Sequence, residues 1–500
     1  MLLLLTILFF ISCTLYSTYK YRSNVRGISG PLFPIPLLGQ VISIIKDSYN
    51  FWVKQSEYGD ISKNMIGNTL MVFLSKAEYV SQILKQNNGD KLRIVIGLND
   101  SVFSDKNISC LHGEEHSALR KSLLVLFTKQ RLGNYIKTQE KLINETFEQW
   151  VNLYGGKQVE FRSLARDLNI SVSLKVLLGS YIKDTDIKEL SELFFIVNSG
   201  LTCLPINLPG TTLYKAIRAR EKLTQKLNDI VENAYGKFYE YEDNTSITHQ
   251  LLQNVIHNLR REEEKIMNNK ILENTNDDLS TNDSEISILP KLPKEGPWSI
   301  HNVSNAVMNL LFASQDASTS SLVWAVVLLN EYPEVLEKIK EEQRNIRPNN
   351  EEITHELLDK MIYTGQVVKE ILRYRPPAIM VPHKAKDNIE IGGIVVPKDS
   401  IIMPSIFSAT EQGFSNGKVF NPDRFNEENL EHVKYASNYL VFGAGPHSCI
   451  GKEYAVNQLK IFVALLGSRI NIKRIMTDKS DHTILGPTSF PSDGCQVIIS

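Results

Sequence analysis

A chain of 500 residues, 42% hydrophobic and 22% charged, can bury a large core, and its length alone suggests about three domains. A formal net charge of -1 supplies no global field for a nucleic-acid partner, which needs a concentrated basic surface. Five cysteines at wide, irregular spacing, with no CxxC pair, argue against a zinc site and against a disulfide framework.

Residues 1–19 open with a nearly unbroken apolar run from Met1 to Tyr16, which Ser17, Thr18 and Tyr19 extend with side chains that tolerate an interface. A cleaved signal peptide needs basic residues before such a run and a small-residue cleavage site after it. Here Lys20, Arg22 and Arg26 come after. That order predicts a single-pass membrane anchor with the bulk of the protein in the cytosol, and the endoplasmic reticulum is the natural membrane. Residues 20–36 read as a basic and Pro-rich linker, where Pro31, Pro34 and Pro36 fix φ and forbid a continuing helix.

Over 37–500 the pattern is mainly α with a small β region. Short β-like runs lie between Ile61 and Leu74. Helical spacing follows through Arg120 to Phe127, Leu142 to Leu153 and Leu164 to Leu178. Leu208-Pro209-Gly210-Thr211 breaks the chain before another helical pattern that runs to about Tyr241. Residues near 268–284 are mostly Asn, Asp, Glu, Ser and Thr, and read as a disordered surface insertion. A long apolar helix is predicted from Trp298 to Asn330, stopped by Pro333, and another from Glu356 to Tyr374. Strand-like pieces at Ile389 to Val396 and Ile401 to Met403 precede a turn-rich stretch.

That stretch ends in Phe442-Gly443-Ala444-Gly445-Pro446-His447-Ser448-Cys449-Ile450-Gly451, just before a helical pattern from Lys452. Glycines let backbone approach a flat ligand closely and adopt φ > 0. The helix N-terminus and free N–H groups favour a thiolate at Cys449, and a thiolate on haem iron donates electron density that favours O–O cleavage. At these residues the sequence resembles the cytochrome P-450 superfamily. The resemblance implies a single, mostly helical domain, with Cys449 as the axial ligand of haem b and Phe442, Gly445, His447 and Gly451 in the cofactor loop. His447 stands where the family usually has an arginine paired to a haem propionate.

Other segments extend the resemblance. Glu370-Ile371-Leu372-Arg373 matches the family's Glu-x-x-Arg, whose spacing puts both side chains on one helical face. A second copy, Glu341 to Arg344, reads as a solvated helix face. Arg424, in Asn421-Pro422-Asp423-Arg424-Phe425, would complete a structural triad with Glu370 and Arg373. His116-x-x-x-Arg120 looks like the family's Trp-x-x-x-Arg, which makes Arg120 a propionate partner. Ala313-Ser314-Gln315-Asp316-Ala317-Ser318-Thr319 aligns with the oxygen-activating helix, where Ala317 replaces the usual threonine. Proton delivery would then use Asp316, Ser318, Thr319 or water.

This combination is similar to the sterol C-22 desaturase group, as is Gln412-Gly413-Phe414 leading into Phe420-Asn421-Pro422. The likeness implies desaturation of the C-22/C-23 bond in the side chain of a sterol, with O2 and electrons from NADPH passed through a flavoprotein NADPH–cytochrome reductase. A sterol demethylase or other lipid monooxygenase is the alternative enzyme. A non-catalytic haem-thiolate sensor is the alternative outside enzymes.

Overall fold

The computed structural model describes residues 2–500 except 24–26, 32–38, 67–68, 87–88, 96–101, 103–106, 202, 241–244, 274–288, 297–298 and 487. The first half carries α1 (Leu2–Ser23), α2 (Val41–Lys46), α3 (Ser48–Val53), β1 (Ile61–Ile66), β2 (Thr69–Leu74), α4 (Ala77–Lys85), β3 (Leu92–Ile94), α5 (Gly113–Leu124), α6 (Lys129–Tyr154), β4 (Gln158–Glu160), α7 (Phe161–Leu178), α8 (Asp184–Ser199), α9 (Thr212–Gly236) and α10 (Ile247–Glu273). Then come α11 (Ile300–Glu331), α12 (Pro333–Ile346), α13 (His355–Lys360), α14 (Ile362–Tyr374), β5 (His383–Ala385), β6 (Ile389–Ile391), β7 (Ile394–Val396), β8 (Ile401–Pro404), α15 (Ile406–Glu411), α16 (Glu431–Lys434), α17 (Lys452–Ser468), β9 (Ile472–Arg474), β10 (Thr483–Leu485), β11 (Ser489–Pro491) and β12 (Gln496–Ile499). Helices dominate and the strands are short, as the pattern predicts.

The contacts gather into two compact units. One comprises 1–169, 201–205 and 314–500, the other 170–200 and 206–313. Among the described residues the first holds every strand, including a sheet of order β1-β2-β8-β5-β3, in which β2 and β8 run parallel and the other neighbours antiparallel. Val72, Leu74, Val80, Ile83, Leu84 and Ile402 form part of its core beside α4, each full burial stabilising by about 1.5–3 kcal/mol. The second unit packs α8 on α9. Val231, Tyr235, Phe238, Leu252 and Val303 belong to its core.

Several expectations change. The predicted helix from Glu356 to Tyr374 is two helices. Met361 leaves helical geometry (φ -77°, ψ 72°), and Glu342 from α12 takes over the capping of α14. Its carboxylate accepts from Tyr363 N (2.6 Å), Thr364 N (3.0 Å) and Thr364 Oγ1 (2.6 Å). The second Glu-x-x-Arg copy is therefore only partly a solvated face: Glu341 and Arg344 are exposed, but Gln343 is buried. Residues 268–273 of the expected disordered insertion complete α10, and 274–284 lie outside the described residues. So do 24–26 and 32–36 of the linker. The expected anchor is helical in α1, but many of its side groups lie outside the described set. Among the described residues no helix is long and apolar enough to cross a membrane, so a spanning anchor is not shown.

Candidate active site

The cysteine loop is a run of tight turns. Gly443 N donates to Leu440 O (2.8 Å), Ser448 N to Gly445 O (3.1 Å) and Cys449 N to Phe442 O (2.8 Å). Gly443 and Gly445 both have φ 70°, a conformation that side chains resist. A Cβ on Gly445 would also lie 2.6 Å from Leu84 O, so glycine here lets the loop rest on the end of α4. Behind the loop, α17 is held against α6 and the start of α7. The Phe462 ring meets Phe147 at 5.6 Å and Phe161 at 6.3 Å.

Burial pushes the Cys449 thiol up, and the Gly451 N–H, Arg120 and Lys452 pull against it without prevailing. The Gly451 N–H at the start of α17 thus acts in the direction the sequence predicts, favouring the thiolate. The opposing groups are in place, but desolvation is larger, and a cation on the sulfur would supply the difference.

A basic cluster flanks the loop. Arg120 Nη1 donates to Ser448 O (2.7 Å) and Nη2 to Ser448 Oγ (3.0 Å), which brings α5 to the residue before Cys449. The His116 and His447 rings lie 4.0 Å apart at 30°. Burial, then His116, His112, His383 and Arg120, push His447 down to about 3. His383 was not singled out from the sequence. It arrives because β5 pairs with β3 and β8, is fully buried, and is pushed down to about 4 by burial.

Glu370, Arg373 and Arg424 meet as expected, each side chain at most 1% exposed. Arg373 Nε and Nη2 donate to the two Glu370 oxygens at 2.7 and 2.8 Å, and Arg424 Nε reaches the same carboxylate at 3.1 Å. Arg424 Nη1 also binds Glu431 at 2.9 Å. Burial would raise Glu431, but hydrogen bonds from Ser415 and Arg424 outweigh it and hold that carboxyl below its usual range. These two guanidiniums and two carboxylates tie α14 to the segment that leads into the cysteine loop.

On α11, Thr319 is buried and Asp316 and Ser318 are half-buried. Asn169 Nδ2 lies 3.0 Å from Ser314 O, 2.9 Å from Gln315 O and 3.3 Å from Thr319 Oγ1. Gln458 of α17 donates to Asn169 Oδ1 at 2.9 Å. The three proton-delivery candidates therefore separate: Thr319 is engaged by this buried amide network, and Asp316 and Ser318 keep accessible surface.

Among the described residues, the charged or titratable groups acting on Arg120, His116 and His447 are bases and the Cys449 thiol, with no carboxylate among them, and both buried ring nitrogens of His112 lack a partner. Sulfur for a metal and a guanidinium with imidazoles for carboxylates suit one kind of group, a flat metal complex with an anionic edge. Such residues define the class of haem-thiolate proteins. The chain belongs to the Cytochrome P450 family, whose model matches residues 29–481. It is 36% identical over 488 residues to the probable cytochrome P450 524A1 of Dictyostelium discoideum, covering 97% of this chain and 85% of that one. The C-22 sterol desaturase erg5 of Aspergillus fumigatus is 28% identical over 494 residues, 96% and 91% of the two proteins. The retinoic acid bound cyanobacterial CYP120A1 shares the fold, with a TM-score of 0.75 at 22% identity over 95% of this chain and 99% of its own. Membership makes the protein a P450 monooxygenase and implies haem with a thiolate ligand, O2, NADPH-derived electrons and a redox-partner reductase.

Proposed function

We propose that the protein is a sterol C-22 desaturase. One observation carries the reading furthest. The family's usual tryptophan and arginine are both histidine here, at 116 and 447, and the two rings stack 4.0 Å apart. The paired departures are therefore one joint feature, and they accompany Ala317 in a protein similar along most of its length to one named as a C-22 sterol desaturase.

Haem held by Cys449 would activate O2 with electrons from NADPH delivered through a flavoprotein reductase. The protein's own residues do the rest. Arg120, His116, His447 and His383 hold the anionic edge. Asp316 and Ser318, on the accessible part of α11, move protons that a threonine at 317 would otherwise handle. Over one turnover, the two hydrogens of the C-22/C-23 bond, one O2, two electrons and two protons leave as an alkene and two waters. The proposal includes attachment to the cytosolic side of the endoplasmic reticulum through residues 1–19, with Lys20, Arg22 and Arg26 on the cytosolic flank.

The test is turnover of a sterol with a saturated side chain by the purified protein with a reductase and NADPH, with products identified by mass spectrometry. A C-22 alkene is expected. A product that is only hydroxylated, or only demethylated, rules out the desaturase reading.

A further inference from the structure

His112 stands just before α5, in extended conformation (φ -140°, ψ 167°), and makes no cap hydrogen bond. Capping is the ordinary use of a polar side chain at that position. This ring instead lies edge-on to His447, with centroids 5.1 Å apart. Nδ1 and Nε2 are both buried, and among the described residues neither has a hydrogen-bond partner. A neutral imidazole offers one donor and one acceptor, and folded proteins rarely bury both unmet.

The position is also built for the ring. Gly89 has φ 85°, and a Cβ there would fall 2.2 Å from His112 Cβ and 2.7 Å from its Cγ. Any larger residue at 89 would displace His112. Lys386 closes the same corner by donating to Gly89 O at 2.7 Å. The charged or titratable groups acting on His112 are Lys386, His116 and Arg93. Each is a base, so the complement of this corner is an anion.

We propose that His112 is a ligand to a carboxylate of the bound cofactor, joining Arg120, His116 and His447 on the anionic edge. The inference rests on the haem-thiolate reading and deepens it. A ring N–H of His112 donates to a carboxylate oxygen, a charge-assisted bond of the stronger kind, and the metal remains with Cys449.

The test compares release of haem with release of haem dimethyl ester, whose carboxylates are blocked, from the parent, His112→Phe and His112→Gln holoproteins. Transfer to excess apomyoglobin is followed through the Soret band. His112→Phe keeps an aromatic ring and should release haem about tenfold faster than the parent, the loss of one hydrogen bond to a charged group. His112→Gln keeps a donor and should fall between them. All three should release the dimethyl ester at the same rate. Equal haem release from parent and both variants overturns the proposal. So does a variant that speeds release of haem and ester alike, because that is a packing effect. If His112→Phe does not fold, the ester-sensitive difference between parent and His112→Gln decides. A parent that takes up no haem overturns the haem-thiolate reading along with this one, and a parent that binds haem with no ester-sensitive difference overturns this one alone.

Discussion

Replacing Glu370 with Gln keeps the shape of a buried side chain and removes its charge. The carboxylate accepts from Arg373 Nε and Nη2, Arg424 Nε and Asn421 N at 2.7 to 3.1 Å. Glutamine would leave two guanidiniums facing each other in a site at most 1% exposed, and its amide NH2 would meet donors. Breaking a buried ion pair by removing one partner costs about 3–5 kcal/mol. The lower end applies, because both arginines keep backbone acceptors. Arg373 retains Gly417 O at 2.7 Å, and Arg424 retains Ser415 O at 2.7 Å and the Glu431 carboxylate at 2.9 Å.

With 1.36 kcal/mol per factor of ten, a loss of about 3 kcal/mol is roughly 150-fold in stability. Unfolding of a large cofactor protein is often irreversible, so the assay is the half-life of the thiolate Soret band at fixed temperature. It should shorten by up to about 150-fold if the network is lost before the barrier. Glu341→Gln, in the exposed second copy of the same spacing, should stay within about 0.5 kcal/mol of the parent. Adding Arg373→Gln to Glu370→Gln removes the guanidinium left without a carboxylate, since Arg424 keeps Glu431, and should recover part of the loss. A Glu370→Gln half-life within twofold of the parent would refute the charge argument. A loss that the second substitution only deepens would instead assign the effect to packing and hydrogen-bond geometry.

Cys449→Ala should abolish the long-wavelength Soret band of the reduced, carbon-monoxide-treated protein. An unchanged spectrum would remove Cys449 as the iron ligand. Gly445→Ala forces a methyl group into φ 70° and toward Leu84 O, and should cost about 1–3 kcal/mol from backbone strain alone. An unaltered thermal midpoint would contradict the close approach. Cofactor-free protein should lose stability as pH falls, because His383 is pushed from 6.5 to about 4 by burial. Its contribution is complete above pH 6.5, declines between 6.5 and 4, and amounts to about 3 kcal/mol. Urea midpoints at pH 7 and pH 4.5 should diverge less in His383→Asn than in the parent, and identical slopes would count against a neutral buried His383.

What the sequence revealed follows from how local each feature is. The cysteine loop was legible because glycines with positive φ and the ligand lie within ten residues of one another. Spacing of three puts Glu370 and Arg373 on one helical face, but Glu341 and Arg344 share that spacing, so family resemblance and the place before Arg375-Pro376-Pro377 made the choice. Arg424 came only through family resemblance, since nothing in its own neighbourhood announces a partner 54 positions away. His383 was missed for a related reason. It reaches the histidine cluster only when β5 settles between β3 and β8, and strand pairings across hundreds of residues leave little trace in local pattern.

Thr319 shows the same limit from the opposite direction. Asp316, Ser318 and Thr319 read alike as polar residues on one helix, and burial together with Asn169, 150 positions away, sets Thr319 apart. Its amide reaches two backbone carbonyls and the Thr319 hydroxyl, while Gln458 holds its oxygen. Gln458 lies on the helix that begins three residues after Cys449. The element that presents the sulfur is thereby linked through one buried amide to the helix expected to move protons. A shift of either helix must break or stretch that link, so the geometry of proton delivery and of the ligand loop are coupled by residues in neither motif.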